Sequence, residues 1–443
     1  MSHPLLTAPI GRSLWRLAGP TTGLMVLQIG VAIAETWIVG RLGTDALAGF
    51  VLAVPFMALM FNMANGGMGG AVASALARAL GAGRHDDARI LMLHALLVGW
   101  GLAFVFMALA WTALPPLFRL MGGSGRALAE ALSFSNWFFA AAVLVWPNCF
   151  LAALLRGAGD SATPSRIGAA TSFVYVALSI VLAPRLGLVG LVIAGATGTT
   201  ISLALQVRAV RRGRLGFTPQ FVGVRLQRRL FGEILRVGIL GSASTPAAIL
   251  TAVLVTGLVG RFGTAALAGY GIGMRLEFML APLAFGIGTG LTTLVGVAAG
   301  AGDWQRANRA AWVGGLLAFA IIGGLGWAVA LVPEGWARLF TSDAEVVAAS
   351  VACLGRVAPV YCFFGIGLTL YFASQGAGRM AVPFSASIVR MIVATAGGWF
   401  AIEKMGLGLD GVFLAVAAGL AVYGCLIAGS LLVSPWRSPR SRS

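Results

Sequence analysis

Two acidic residues stand inside otherwise apolar runs, and they are the side chains of this 443-residue chain best placed to do chemistry. Glu35 lies in "QIGVAIAETWIVGRLG" and Glu277 in "GMRLEFMLAP", whereas the other twelve acids fall in loops or at the ends of apolar segments. An ionised side chain at the centre of a membrane helix costs about 2.5–3.5 kcal/mol on insertion scales, so such acids usually face a cavity or a partner. A carboxylate that is neutral in one state and ionised in another can bind a proton and a cation in alternation.

Each glutamate has a second interpretation that the residues leave open. Glu35 lies roughly 8–9 Å from the helix end near Arg41, so it could extend to the membrane interface or pair with that arginine. Glu277 follows Arg275 by two residues, which points the two side chains about 200° apart on a helix. Glu277 is therefore either a second proton or substrate site, or the structural partner of a distant arginine such as Arg390.

Uncharged polar side chains in the first half of the chain are candidates for lining a substrate cavity. They are Gln28, Asn62, Asn65, Tyr175 and Ser179. In membrane helices such groups also bond across helices without touching a ligand. Gln28 precedes Glu35 by seven residues and shares its helical face. Pro20, fifteen residues before Glu35, cannot donate a backbone hydrogen bond and so weakens the first helix locally, which is compatible with a simple kink.

The composition places these residues in a membrane. Hydrophobic residues make up 59% of the chain, charged residues make up 10%, and the mean hydropathy is +0.92. A soluble domain carries roughly 25% charged residues, so this chain lacks the polar surface that folding in water requires. The net charge of +17 comes almost entirely from arginines in short loops, without a nucleic-acid-binding motif. The predicted surroundings are lipid, and no nucleic-acid partner is expected.

No catalytic or metal-binding constellation accompanies the two acids. The four cysteines fall within apolar segments and lack the spacing of metal ligands. Neither His85 nor His94 has the sequence neighbours of a Ser/His/Asp arrangement. The sequence therefore predicts a protein that is not an enzyme and that has no catalytic residues, bound metal or cofactor.

Twelve apolar segments are long enough to cross a bilayer as helices. They lie near 17–40, 47–77, 91–114, 131–155, 166–184, 187–207, 235–259, 266–298, 310–332, 345–373, 382–402 and 410–433. With a cytoplasmic N-terminus, twenty-one basic residues fall on the cytoplasmic side and seven on the other, which predicts that both termini are cytoplasmic. Arg275, Arg356 and Arg390 fall inside predicted helices, and the sequence leaves open whether they face a cavity.

The second half of the chain repeats the first. "VGRLGTDALAG" (39–49) returns as "VGRFGTAALAG" (259–269), with nine of eleven positions identical at an offset of 220. "RGAGDSATP" (156–164) corresponds to "QGAGRMAVP" (375–383) at an offset of 219. The repeat predicts four parts: an N-terminal six-helix bundle (1–207), a basic cytoplasmic linker (208–234), a C-terminal six-helix bundle (235–434) and a basic cytoplasmic tail (435–443). Parallel repeats of this kind are typical of secondary transporters with a site near the middle of the membrane.

The sequence resembles the multidrug and toxic compound extrusion (MATE) family, on blocks spread from about Pro20 to Pro383 that include "GRLGTDALAG", "LLRGAGDSATP" and "GRFGTAALAGYGIGMR". The resemblance implies twelve helices in two bundles around a central cavity, and a first helix that can bend near Pro20. It also implies export of amphipathic, often cationic compounds against inward H+ or Na+. Glu35 stands where the family usually has Asp. The chain looks closer to a branch with archaeal and DNA-damage-inducible members, which often carries "NIVLDP" on the fifth helix. Here "SIVLAP" puts Ser179 and Ala183 in place of that Asn and Asp.

We therefore expect a proton-coupled antiporter of the bacterial inner membrane that acts as a monomer on small cationic or amphipathic molecules. Glu35 is the expected main coupling carboxylate, with Glu277 as the second candidate. Sodium is the alternative coupling ion, although the missing acid on the fifth helix leaves few hard oxygen ligands for it. A lipid-linked sugar flippase of the related superfamily is the second alternative, because it would need cationic side chains in its cavity. A scaffold or receptor without transport is the third.

Overall fold

The computed structural model describes residues 4–221 and 223–437, and within these ranges every regular element is helical. Arg440 and Arg442 of the predicted basic tail lie outside the described residues. Eleven of the described helices are long and apolar enough to cross a membrane, and one bent helix pair completes a twelfth span. The prediction of an all-helical protein with twelve membrane helices is confirmed.

The first six spans end at Arg211. In chain order the helices are α1 (Pro4–Thr7), α2 (Ile10–Gly40), α3 (Thr44–Asn62), a π-helical turn (Met63–Gly67), α4 (Met68–Gly81), α5 (His85–Leu120), α6 (Gly125–Ala140), α7 (Ala142–Gly157), α8 (Ala162–Leu186) and α9 (Leu188–Arg211). The fifth and sixth spans, α8 and α9, are separated only by Gly187. Its φ of +62° is a left-handed conformation that glycine adopts without strain, so the chain can reverse there in a single residue.

The last six spans begin at Arg228. Their helices are α10 (Arg228–Gly260), α11 (Thr264–Gly300), α12 (Trp304–Leu331), α13 (Pro333–Arg338), α14 (Ala344–Val357), a 3₁₀ turn (Ala358–Val360), α15 (Tyr361–Gly376), α16 (Ala381–Glu403) and α17 (Gly408–Val433). The order and lengths of the spans parallel those of the first half, in agreement with the sequence repeat.

The fourth span differs from the single helix predicted at 131–155. It breaks at Ala141, where α6 and α7 meet at an angle of 49°. Pro147 in α7 has no N–H to donate to the carbonyl of Val143, which weakens the helix just after the break. The tenth span carries an irregularity in the equivalent place, a 3₁₀ turn that contains Pro359, but it runs on as one span without such a bend. Hydropathy could not reveal either feature, because the chain is apolar on both sides of each.

Contacts between helices divide the chain into two compact bundles. The N-bundle is Gly23–Ile239, and the C-bundle combines Met1–Thr22 with Leu240–Ser443. The chain therefore passes from the C-bundle to the N-bundle inside α2, and returns inside α10. Pro20 lies inside α2, two residues before Thr22, where the change of bundle occurs. The predicted boundaries at 207 and 235 stay a prediction.

Aromatic rings fill the core of the N-bundle. Trp146 is fully buried, and its ring centroid lies 5.6 Å from those of both Phe106 and Phe150. Phe50 and Phe134 meet edge to face at 5.5 Å. Lipid tails are as apolar as these side chains, so helix association in the membrane depends on van der Waals packing more than on the hydrophobic effect. Interlocking rings supply that packing.

Polar contacts fasten the chain that precedes α10 to the N-bundle. The backbone N–H of Gln227 donates to Nε2 of the fully buried His94 at 2.9 Å. Two residues later, Arg229 forms ion pairs with Asp87 and with Glu233. His94 therefore accepts a hydrogen bond from the backbone just before α10 and helps to hold that segment.

Two glycines of α11 let the first part of α2 pack closely within the C-bundle. A Cβ added at Gly286 would overlap Oγ1 of Thr22. A Cβ at Gly290 would lie 3.2 Å from the backbone nitrogen of Ala18. Small residues four apart commonly permit such close helix contacts in membranes.

Candidate functional site

Glu35 and Tyr175 meet in the N-bundle. The phenol of Tyr175, on α8, donates a hydrogen bond to Oε1 of Glu35, on α2, and both side chains are partly buried. Among the described residues no cationic side chain forms an ion pair with Glu35. The guanidinium of Arg41 instead lies over the ring of Trp37, 4.9 Å from its centroid. Two predicted site residues thus form one contact, and the alternative of a Glu35–Arg41 pair receives no support.

A second hydrogen bond joins the same two helices. Nε2 of Gln28 donates to Oγ of Ser172 at 3.0 Å, and that hydroxyl donates in turn to the carbonyl of Gly168 at 2.8 Å. We call Gln28, Glu35, Ser172 and Tyr175 the polar seam. The seam carries one carboxylate and three uncharged polar groups, so it can present a single negative charge that is ready to accept a proton or a cation.

Beyond Tyr175, α8 presents small side chains to its neighbours. Ser179 is 1% exposed, one turn beyond Tyr175 on the same helix. Ala183 is fully buried, and its backbone nitrogen would lie 2.9 Å from a Cβ added at Gly190 of α9. The position where the resembled branch often carries an acid is therefore filled by close helix packing, without a second carboxylate.

The two predicted asparagines lie apart from the polar seam. Asn62 ends α3 and is exposed, whereas Asn65 lies in the π-helical turn and donates to the carbonyl of Phe61 at 3.2 Å. Neither hydrogen-bonds to a seam residue within 4–221 and 223–437. A π-helical turn often marks a functional position in a helix, and the sequence pattern does not predict this one.

Sequence reasoning misses a buried amide network between α7 and α9. Nε2 of Gln206, whose residue is 2% exposed, donates to Oδ1 of Asn148 at 2.7 Å and to Oγ of Ser202 at 3.1 Å. The available signal was an isolated amide in an apolar segment, the same signal that singles out Gln28. The network joins α9 to α7, the part of the fourth span that follows the break at Ala141.

Glu277 forms an ion pair inside the C-bundle. Nη2 of Arg390, on α16, lies 3.2 Å from Oε1 of Glu277, on α11, and the two side chains are 20% and 13% exposed. The guanidinium also lies 5.7 Å from the ring centroid of Phe364 and 5.8 Å from that of Tyr423. An opposite charge and two aromatic faces together stabilise a cation that is largely removed from water. Glu277, unlike Glu35, has a cationic partner.

The other two arginines inside spans also have partners. Arg356 forms an ion pair with Asp410, at the start of α17, and Arg275 lies over the ring of Phe340 at 4.8 Å. A site for a pyrophosphate would need guanidinium groups that are not already bound to a carboxylate. Two of the three arginines that kept the flippase alternative open are therefore held in ion pairs.

The same position in the two halves has opposite surroundings. At the offset of 220, Glu35 corresponds to Val255 on α10. Val255 is 1% exposed, whereas Glu35 is only partly buried and makes a polar contact. This helix position therefore holds a buried apolar side chain in the second half and an ionisable side chain in the first half.

A pocket of about 540 Å³ between the fourth and sixth spans lies away from these residues. Its lining is apolar apart from Thr197 and Thr200, and it contains none of the predicted site residues. Trp137, one of its lining residues, is 60% exposed, which places the pocket at the surface of the N-bundle. It offers no group that could bind a proton or a charged ligand.

Twelve membrane helices in duplicated halves are typical of polytopic membrane transporters. The MatE family model matches residues 20–183 and 248–400, one stretch in each half. The chain belongs to the MATE family. Members of this family are transporters that need no cofactor, so the protein is a multi-pass membrane transporter and not an enzyme.

Curated relatives and solved structures resemble this chain over most of its length. A protein named probable multidrug resistance protein NorM from Thermotoga maritima is 26% identical over 437 residues, which cover 93% of this chain and 90% of the relative. An FAD transporter from Shewanella oneidensis is 27% identical over 325 residues, covering 70% of this chain and 69% of the relative. A structure described as the outward-facing conformation of a multidrug resistance MATE family transporter has a TM-score of 0.89 at 21% identity and covers 98% of both chains. That likeness shows the shared fold.

Proposed function

We propose that this chain is an antiporter that exports amphipathic, often cationic compounds from a bacterial cell in exchange for protons, by alternating access. Glu35 is its main coupling carboxylate. The observation that carries the proposal is the contact in which Glu35 accepts a hydrogen bond from Tyr175 and has no cationic partner among the described residues. The names of several relatives as probable multidrug resistance proteins support the substrate class.

The polar seam provides the chemistry that such an exchange needs. When Glu35 is ionised, the hydroxyl of Tyr175 donates to one carboxylate oxygen and leaves the other oxygen for a cationic substrate. When Glu35 takes up a proton, the negative charge disappears and the cation loses its counter-charge. Because one carboxylate cannot hold a proton and a cation at once, binding of either releases the other. That competition is the coupling step of the proposed antiporter.

Protons fit the seam better than sodium. Hard cations are held by several oxygen ligands at once, often including two or more carboxylates or carbonyls. Glu35 is the one acid of the polar seam, and Ala183 occupies the place of a second acid on α8. Sodium coupling is the alternative that the experiment below separates.

Glu277 fits the structural alternative better than a role as a second proton site. Its carboxylate is held by Arg390 at 3.2 Å in surroundings that leave little access to water. The ion pair of Arg356 with Asp410 likewise weakens the flippase alternative, because that guanidinium already has a counter-charge. We propose that these arginines stabilise the C-bundle.

We further propose that the protein acts as a monomer in the inner membrane, with both termini in the cytoplasm. The excess of arginine in the loops assigned to the cytoplasmic side supports this orientation. The substrate cavity would include the polar seam, with Asn62, Asn65 and Ser179 as further candidates for its lining.

Uptake of ethidium into everted membrane vesicles, driven by an imposed pH gradient with an acidic lumen, tests the proposal. We expect the wild-type chain to accumulate ethidium and Glu35→Gln to accumulate no more than vesicles without the transporter. Asp45→Asn is the matched control, because it makes the same acid-to-amide change at an exposed residue in the first turn of α3. Asp45→Asn should keep wild-type uptake.

Two results would overturn parts of the proposal. Uptake by Glu35→Gln equal to that of the wild type, at equal amounts of protein in the membrane, removes Glu35 from the coupling step. Uptake that disappears when sodium is removed at a fixed pH gradient makes sodium the coupling ion.

A further inference from the structure

A pocket of about 340 Å³ lies at the arginine-rich end of the N-bundle, where α8 begins and α9 ends. It is lined by Thr163, Ile167, Leu205, Arg208, Ala209, Arg212 and Arg214. The lining combines three guanidinium groups with aliphatic side chains from both helices. This combination distinguishes the pocket from an ordinary charged loop.

The positive charge of the pocket is only partly neutralised. Arg208 and Arg212 are exposed and form no ion pair within the described part of the chain. Arg214 lies 3.8 Å from Asp160, and its side chain is 63% exposed. The carboxylate of Asp160 also accepts hydrogen bonds from the backbone N–H of Thr163 at 3.0 Å and from its hydroxyl at 2.6 Å. At least two guanidinium groups are left to bind an anion.

The apolar side of the pocket faces the membrane interior. Leu205 precedes Arg208 by about one turn of α9, and Ile167 lies one turn into α8, so both are further from the arginine-rich end than the guanidinium groups. Leu205 is 37% exposed, so it lies at the surface of the bundle and is not part of the packed core. A ligand that fits this pocket carries an anionic group at one end and a hydrocarbon chain at the other.

The duplication shows that the architecture does not require these arginines. At offsets of 219 or 220, the end of α9 corresponds to the segment 427–434, "IAGSLLVS", which contains no basic residue. Thr163 corresponds to Val382 at the offset of 219. The positive-inside rule requires only that arginines lie somewhere in the cytoplasmic loop. Here they instead lie around one pocket that also has aliphatic side chains.

We propose that this pocket binds one anionic phospholipid. The phosphodiester lies between Arg208 and Arg212, and an acyl chain runs along Ile167 and Leu205. Arginine suits this role because its planar guanidinium donates two parallel hydrogen bonds to phosphate oxygens. Basic pockets between membrane helices at the cytoplasmic surface are a recognised form of lipid headgroup site. The proposal does not depend on the substrate or the coupling ion of transport.

Native mass spectrometry of the full chain in detergent, titrated with dioleoyl phosphatidylglycerol or dioleoyl phosphatidylcholine, tests it. For the wild type we expect one saturable phosphatidylglycerol adduct that forms at a concentration at least tenfold lower than the phosphatidylcholine adduct. Arg208→Gln with Arg212→Gln should weaken the phosphatidylglycerol adduct roughly tenfold or more, because each guanidinium near an anionic headgroup contributes substantially to its binding. Arg208→Lys with Arg212→Lys, which keeps the charge, should restore part of it.

Arg225→Gln with Arg228→Gln is the matched control. Both residues lie before or at the start of α10, are exposed and form no ion pair within the described residues, so the change in net charge is the same. This variant should bind phosphatidylglycerol within twofold of the wild type. An equal loss in the control would show that overall charge, not the pocket, selects the lipid and would overturn the proposal.

Two further arms distinguish the occupant. Equal affinity for phosphatidylcholine would mean that the arginines do not select the headgroup, which overturns the assignment. Displacement of the phosphatidylglycerol adduct by glycerol 3-phosphate at the same concentration would mean that a soluble phosphate suffices, which overturns the role of the acyl chain. Equal thermal unfolding midpoints in all variants exclude misfolding as the cause of any loss.

Discussion

The ion pair between Glu277 and Arg390 makes a prediction that separates a structural role from a transport role. Glu277→Gln leaves a guanidinium without its counter-charge among apolar helices. At 3.2 Å and an effective dielectric constant of about 20, the Coulomb attraction amounts to roughly 5 kcal/mol. Desolvation of both groups cancels part of it, but removing one partner leaves a buried charge uncompensated. We expect each single change, Glu277→Gln or Arg390→Gln, to lower the free energy of unfolding by about 3 kcal/mol.

A double-mutant cycle measures the coupling directly. Unfolding in mixed micelles with increasing denaturing detergent, followed by tryptophan fluorescence, gives the stability of the wild type, both single variants and the double variant. We expect the double variant to be about 2 kcal/mol more stable than the sum of the single losses predicts. The control cycle uses Glu334 and Arg338, an i,i+4 pair whose side chains are 59% and 62% exposed. Its coupling should stay below about 1 kcal/mol.

Additive losses in the Glu277–Arg390 cycle would contradict the reasoning, because two groups that interact in a low-dielectric interior cannot contribute independently. Ethidium uptake by the same variants provides a second readout. If Glu277→Gln kept wild-type stability and lost proton-driven uptake, Glu277 would belong to the transport site after all. The structural assignment would then be wrong.

Three further predictions concern single contacts. Tyr175→Phe removes the hydrogen-bond donor to the proposed coupling carboxylate, and a hydrogen bond to a charged group contributes about 1.5–3 kcal/mol. Proton-driven ethidium uptake should therefore slow about tenfold or more, and an unchanged initial rate would contradict this prediction. Gly286→Val places a side chain in the space that Oγ1 of Thr22 occupies, so α2 must move away from α11. The thermal unfolding midpoint should therefore fall, and a midpoint equal to that of the wild type would disprove the close contact. His94→Ala removes the acceptor of the Gln227 backbone N–H, so the segment between α9 and α10 should open more often. Trypsin should then cleave this segment several-fold faster, and an equal rate of cleavage would show that other contacts hold it.

Most of the architecture follows from the sequence because a membrane helix has a strong signature. Length, hydropathy and arginine placement locate the twelve spans, and the repeat identifies the two halves. The break at Ala141 is invisible to the same signals because the residues on both sides of it are apolar, and no sequence pattern marks the π-helical turn at Met63–Gly67. Helix geometry of this kind is a property of the packed bundle, not of a single segment.

The candidate site is only partly predictable for a related reason. An isolated polar residue in an apolar helix is conspicuous, so Glu35, Tyr175 and Gln28 could be selected without a structure. Which of them touch could not, since Tyr175 lies 140 residues from Glu35 in the chain. The same limit explains why the network of Gln206 was not predicted, and why two asparagines that resemble the seam residues in sequence lie apart from them.

The contrast between Glu35 and its counterpart Val255 has an evolutionary consequence. A single ancestral bundle that had to pack and to bind a charge would face conflicting selection at this helix position, because a buried ionisable group weakens the packing around it. After gene duplication, one copy could keep the sealed, tightly packed version while the other accumulated changes that favour protonation. A series of reconstructed ancestral sequences that carry the acid in either half, or in both, would measure how its placement changes the free energy of unfolding and the rate of transport.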